Sequence, residues 1–104
     1  MINYLKSLFG ISPKADFREL MSRGAQTIDV RTPIEFNTGH IKGAVNIPLS
    51  LISENALKIK KDRPVITCCA SGMRSASAKN ILSSTGFKEV YNGGGWIDLQ
   101  QQLQ

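Results

Sequence analysis

The segment from Pro64 to Ser84 limits the possible folds more than any other. Pro64-Val65-Ile66-Thr67-Cys68 is a nearly continuous apolar run entered from a proline, the pattern of a strand buried on both faces. A polar, glycine-bearing loop from Cys69 to Arg74 ends it. Ser75 to Ser84 then reads as a helix, with Ala76, Ala78, Ile81 and Leu82 on its inner side. A buried strand that passes through a short loop into a helix is part of a crossover unit. Such units build parallel sheets covered by helices.

The alternation continues in both directions. Ser12 as N-cap and Pro13 at the first helical position predict a helix through Phe17, Leu20 and Met21, stopped by Gly24. Thr27 to Val30 reads as a strand, Pro33 to Asn37 as a helical turn, and Ala44 to Ile47 as a second strand closed by Pro48. Leu51 to Ile59, with apolar residues at 52, 56 and 59, predicts a helix. Beyond a stop at Gly86, Glu89 to Tyr91 is a last strand. Gly93-Gly94-Gly95 reads as turn chemistry leading into a helix from Trp96. The expected class is α/β, with a mainly parallel sheet and helices on both faces. With 104 residues the chain has room for one domain. We expect a short N-terminal segment over residues 1–11 and the domain over 12–104.

The net charge of +5 favours anionic ligands without specifying nucleic acid. Lys58, Lys60 and Lys61 form the main basic cluster, beside Asp62 and remote from any aromatic stacking platform, so a solvated surface is expected and no nucleic-acid partner. Ile2, Leu5, Leu8 and Phe9 fall on one helical face, which suits docking on the domain rather than a membrane anchor. No signal peptide is visible, and the cytoplasm is the expected compartment. Cys68 and Cys69 are adjacent, with Cα atoms ~3.8 Å apart, below the usual disulfide range. Two cysteines and one histidine also fall short of a four-ligand zinc site, so no metal or other cofactor is expected.

The chemical centre is expected at Cys69, Ala70, Ser71, Gly72, Met73 and Arg74, where a strand end meets a helix start. First-turn N–H groups of a helix lack internal partners, and the helix dipole adds partial positive charge there. Gly72 lets the backbone turn back without a Cβ penalty. The product is a cradle of donors around one sulfur, with Arg74 adding a positive charge. A free cysteine titrates near ~8.5, and this setting depresses that value. The cradle also suits a second, negatively charged sulfur, as in a persulfide. Cys68, inside the apolar run, reads as an inert buried residue.

These residues resemble the active-site loop of rhodanese-like domains, Cys-x-Ser-Gly-x-Arg-Ser. Ile28-Asp29-Val30-Arg31-Thr32-Pro33 with Glu35-Phe36 resembles the family's first signature. Gly39-His40-Ile41-Lys42-Gly43-Ala44-Val45-Asn46-Ile47-Pro48 resembles a second, and Gly86-Phe87 with Val90-Tyr91-Asn92 and Gly94-Gly95 the C-terminal part. The resemblance covers residues 13–99. It implies a central parallel sheet of about five strands, and transfer of sulfane sulfur through Cys69. The implied donor is a small sulfur anion such as thiosulfate or a protein persulfide, and the implied acceptor is a thiol or cyanide. It further implies that the amides of Ala70 to Arg74 hold the persulfide and that Arg74 recognises substrate charge. Ala70 departs from relatives, which often carry a charged or polar residue there.

Of the other motif residues, His40 is expected to bond backbone rather than act as a general base. Asp29, Arg31 and Glu35 are expected to form a structural ion-pair network. Two other functions compete. Counted from Cys68, the chain reads Cys-x5-Arg-Ser, the spacing of cysteine phosphatases, although no histidine precedes it. The other is a binding or sulfur-relay module without free-standing activity.

Overall fold

The computed structural model describes residues 15–104. The expected Ser12–Pro13 helix start and the apolar face of the N-terminal segment lie outside the described residues. Helix α1 (Phe17–Ser22) takes Asp16 as its N-cap, whose carboxylate accepts the Glu19 N–H. Phe17 and Leu20 form its buried side.

Four strands are found among the described residues: β1 (Gln26–Asp29), β2 (Val45–Asn46), β3 (Val65–Cys69) and β4 (Val90–Gly95). All pairings are parallel and the order is β2-β1-β3-β4. Strand β3 therefore has neighbours on both edges, and all five of its residues are buried. Helices α2 (Pro33–Thr38), α3 (Met73–Ser84) and α4 (Trp96–Leu103) complete the regular structure.

The core divides into two clusters, one on each face of the sheet. Val65 and Cys69 of β3 pack with Ile28, Val30, Ala78 and Leu82, on the α3 side. Ile66 and Cys68 pack with Phe17, Leu20 and Leu99, on the side of α1 and α4. Period-two alternation along β3 makes this division. At ~25 cal/mol per Å² of apolar area removed from water, these two layers supply the main drive to fold.

Three expectations need correction. Leu51 to Ile59 is not a helix; two 3-10 turns, Leu49–Leu51 and Ala56–Lys58, stand there. Ile52 and Ile59 are buried while Leu57 is almost fully exposed, and the Asn55 amide bonds the Leu51 carbonyl. Asparagine competes in this way with regular helical bonding. The helix expected from Ser75 begins two residues earlier, at Met73, and Cys69 is the last residue of β3 rather than part of the loop.

The third correction concerns Gly93 to Gly95, which are strand residues of β4 and not a turn. A Cβ on Gly93 would lie 2.8 Å from Ile66 and from Leu99, and 2.9 Å from the Thr67 carbonyl. One on Gly95 would lie 2.9 Å from the Ala70 carbonyl. The missing side chains let β4 and α4 close against β3.

Candidate active site

Cys69 ends the strand, and α3 begins four residues later. Between them Gly72 takes φ +101°, a left-handed conformation, and serves as the helix N-cap. This turn brings the Gly72 N–H onto the Cys69 sulfur at 2.9 Å. The Ser75 hydroxyl, on the buried side of α3, lies 3.4 Å from the same sulfur. Burial pushes the Cys69 thiol up. Hydrogen bonding with Ser75 and from the N–H groups of Gly72 and Ser71 more than offsets it, leaving the thiol below its ordinary range. The N–H groups found at the sulfur belong to Ser71, Gly72 and Ser75, and none comes from Ala70, Met73 or Arg74 among the bonds to it.

Ser75 and Asn92 were not among the expected site residues, though both lie inside the quoted motifs. The Ser75 hydroxyl donates to the Asn92 side-chain oxygen at 2.6 Å, and the Gly94 N–H donates to that oxygen at 2.9 Å. The Asn92 amide nitrogen donates to the Gly72 carbonyl at 3.2 Å. The Thr67 hydroxyl donates to the Ser75 carbonyl at 2.8 Å. These bonds fasten the loop and the mouth of α3 to strands β3 and β4. The signal available in the sequence was a serine on the helix face otherwise filled by Ala78 and Leu82.

Cys68 meets a different environment. It lies in the apolar cluster with Ile66 and Leu99, and its thiol is pushed up to about 12 by burial, with the Asp29 carboxylate adding to the effect. It remains protonated at neutral pH. A phosphatase nucleophile at this position would be a buried, neutral thiol on the wrong face of the sheet.

The profile of the rhodanese-like domain matches residues 14–101. The chain belongs to the rhodanese-like domain family. The rhodanese-like chain is 47% identical over 70 residues to the uncharacterized protein YqhL of Bacillus subtilis, covering 67% of this chain and 56% of that protein. It is 39% identical to the thiosulfate sulfurtransferase PspE of Escherichia coli, with 69% and 71% covered. It is 36% identical to the thiosulfate sulfurtransferase GlpE of Ectopseudomonas mendocina, with 86% and 81% covered. Among solved structures, an E. coli rhodanese with anions superposes with TM-score 0.67 at 39% identity, covering 71% of this chain and 89% of that one. The human single-domain sulfurtransferase TSTD1 superposes with TM-score 0.71 at 27% identity, covering 85% and 91%. The family is thus one of sulfurtransferases.

In this rhodanese-like domain the remaining motif residues divide into two groups. Asp29 and Arg31 are buried and joined by a two-pronged ion pair, with Arg31 Nη2 to Asp29 Oδ2 at 2.7 Å. Arg31 also donates to the carbonyls of Glu35 and Gly39 and lies 4.8 Å from the Trp96 ring centre. It ties the segment after β1 to α4. His40 stacks on Phe36 and its Nδ1 lies 2.8 Å from the Phe36 carbonyl, as a backbone-bonded histidine would.

Glu35 departs from its expected place. Its carboxylate does not join Asp29 and Arg31; it grips Arg74 with two bonds of 2.7 and 2.9 Å. The same carboxylate accepts the N–H and hydroxyl of Thr32, completing the capping box of α2. Arg74 and Thr32 together hold Glu35 down at about 2. The charge of Arg74 is balanced by a neighbour. Ala70 and Ser71 are exposed, as is Met73 at 80%.

Among the described residues no helix is long and apolar enough to cross a membrane.

Proposed function

We propose that this domain is a rhodanese-type enzyme that carries sulfane sulfur as a persulfide on Cys69. The observation that carries the reading is the Gly72 N–H at 2.9 Å from the Cys69 sulfur, in a loop fastened by Ser75 and Asn92. A thiolate held there is nucleophilic at neutral pH without a separate general base. It attacks the outer sulfur of a donor and forms a new S–S bond as the donor's S–S bond breaks. With thiosulfate the leaving group is sulfite; with a persulfide it is a thiolate. The acceptor, a thiolate or cyanide, then takes the outer sulfur and regenerates the Cys69 thiolate. Backbone N–H groups at the helix mouth stabilise the negative charge at each stage.

Cys69 has no solvent exposure. The chain around the sulfur must therefore give way before a donor meets it. Turnover also needs Cys69 reduced at the start of each cycle, which suits a reducing cytoplasm. We assign this chemistry to a domain over residues 12–104.

Intact-mass measurement after incubation with thiosulfate, and separately with cysteine persulfide, tests the reading. The protein should gain one sulfur atom that cyanide removes, and Cys69→Ser should gain none. Cyanide-labile sulfur on the Cys69→Ser variant would overturn the assignment.

A further inference from the structure

We infer that Glu35 is a specificity-determining residue that turns the Cys69 site away from small dianionic donors and toward persulfides borne on larger, less charged molecules. The inference rests on the Cys69 sulfur-carrier reading and deepens it by naming the donor class.

Arg74 is the sole cation between Cys69 and Ser75. A dianion arriving at the Cys69 loop would be drawn chiefly by this guanidinium. In the structure the guanidinium is committed: Nη1 and Nη2 each donate to one oxygen of Glu35, at 2.7 and 2.9 Å. The pairing is of the fork-to-fork kind that fixes geometry as well as charge. Glu35 is itself held in place, because its Oε1 also receives the Thr32 N–H and hydroxyl at 3.1 and 3.0 Å. The carboxylate therefore cannot swing aside without giving up its half of the α2 capping box. A free dianion must displace a fixed carboxylate from Arg74, or approach a pair with no net charge.

The surroundings of the pair point the same way. Ile34 precedes Glu35 and Met73 precedes Arg74, and each is 80% exposed. Ala70, next to the nucleophile, is exposed and uncharged. Exposed apolar side chains next in sequence to both members of a neutralised ion pair suit the body of an organic or protein-borne persulfide. They offer nothing to thiosulfate.

The chemistry balances for both donor classes. The Cys69 thiolate and thiosulfate give the Cys69 persulfide anion and sulfite, with three negative charges on each side. The thiolate and a neutral persulfide give the Cys69 persulfide and the donor's thiolate. The transition state for thiosulfate gathers more negative charge at the loop, so the balance of charge there selects between them.

Glu35→Gln tests the inference, since glutamine serves at the same capping-box position and keeps an acceptor for the Thr32 N–H. Steady-state kinetics with thiosulfate and with cysteine persulfide, at low and at raised salt, give the readout. The ratio of kcat/KM for thiosulfate to that for cysteine persulfide should rise about tenfold in Glu35→Gln. The gain should lie mainly in KM, shrink at raised salt, and vanish in the double variant Glu35→Gln with Arg74→Gln. A purely structural Glu35 would lower both rates together and leave the ratio unmoved, and that result overturns the inference. If the wild-type protein takes sulfur from neither donor, the sulfur-carrier reading itself fails. If it loads normally and only the ratio stays fixed, the specificity role alone fails.

Discussion

Cys68 and Cys69 are neighbours in the chain, yet their side chains lie on opposite faces of one sheet, Cys68 against Leu99 and Cys69 against Ala78. No side-chain rotation brings the two sulfurs together while β3 keeps its pairing. The variant pair separates their roles. Cys68→Ala should load sulfur like the wild type and lose about 1 kcal/mol of stability, from one buried group removed from a packed cluster. Cys69→Ser should retain the fold and lose loading. Denaturant unfolding and intact mass check both. A Cys68→Ala protein that folds and does not load would contradict the division.

The two thiols should respond to pH in opposite senses. Cys69 is lowered in the folded state, so its contribution to stability is present above the unfolded value of ~8.5 and lost as pH falls through the folded value. Cys68 is raised to about 12, so its contribution is lost as pH climbs from ~8.5 toward that value. Iodoacetamide should modify Cys69 in the native protein with a midpoint below ~8.5. Cys68 should react only on unfolding. Alkaline destabilisation should be smaller in Cys68→Ala than in the wild type. Native-state alkylation of Cys68 at neutral pH, found by peptide mass mapping, would count against this assignment.

Asn92 holds the loop through three bonds to Ser75, Gly94 and Gly72. Asn92→Asp keeps an acceptor for the Ser75 hydroxyl and the Gly94 N–H. It loses the donor to the Gly72 carbonyl and places a carboxylate near the sulfur. Like charge disfavours the thiolate. Alkylation of Cys69 at neutral pH should slow by about tenfold, with its midpoint moved upward. An unchanged midpoint would show that Asn92 has no hold on the sulfur's charge.

Gly93→Ala should destabilise the protein by about 2–3 kcal/mol. The added methyl would meet Ile66, Leu99 and the Thr67 carbonyl at 2.8–2.9 Å, and the carbonyl belongs to the central strand and cannot yield. The denaturant midpoint should fall with the slope unchanged. Gly43→Ala makes a control for steric crowding, since nothing lies within 4 Å of the added atom and only its φ of +86° opposes the change.

Gly72→Ala probes the cradle directly. At φ +101° an alanine is strained, and its Cβ would lie 3.3 Å from Gly94. Relief of that strain would swing the residue 72 N–H off the sulfur. Sulfur loading should slow at least tenfold, with the unfolding free energy lower by about 1–2 kcal/mol. Wild-type loading in a folded Gly72→Ala protein would remove this N–H from the mechanism.

Much of the molecule can be read from short stretches of chain. The apolar run into Cys68 marks the central strand, and glycine followed by a helical pattern marks the turn that aims N–H groups at Cys69. Each signal acts over a few residues, through backbone sterics and period-two or 3.6-residue patterning, so it survives without knowledge of the neighbours. Leu51 to Ile59 shows the limit of that reading. Its spacing is helical, but Leu57 faces solvent and Asn55 bonds its own backbone, so no apolar stripe draws it into a full helix.

What only the folded molecule decided lies between distant residues. Glu35 and Arg74 stand 39 positions apart, and neither residue's local sequence says that the carboxylate would leave Asp29 and Arg31 to each other and take the arginine of the sulfur loop. Gly93 and Gly95 look like a turn until β3 and α4 are brought against them. The sequence determined which sulfur the Gly72 turn meets with its N–H, because backbone geometry is local. The charge around that sulfur was settled by the Glu35–Arg74 pair that joins α2 to α3, because electrostatic balance depends on what the tertiary fold brings within a few ångströms.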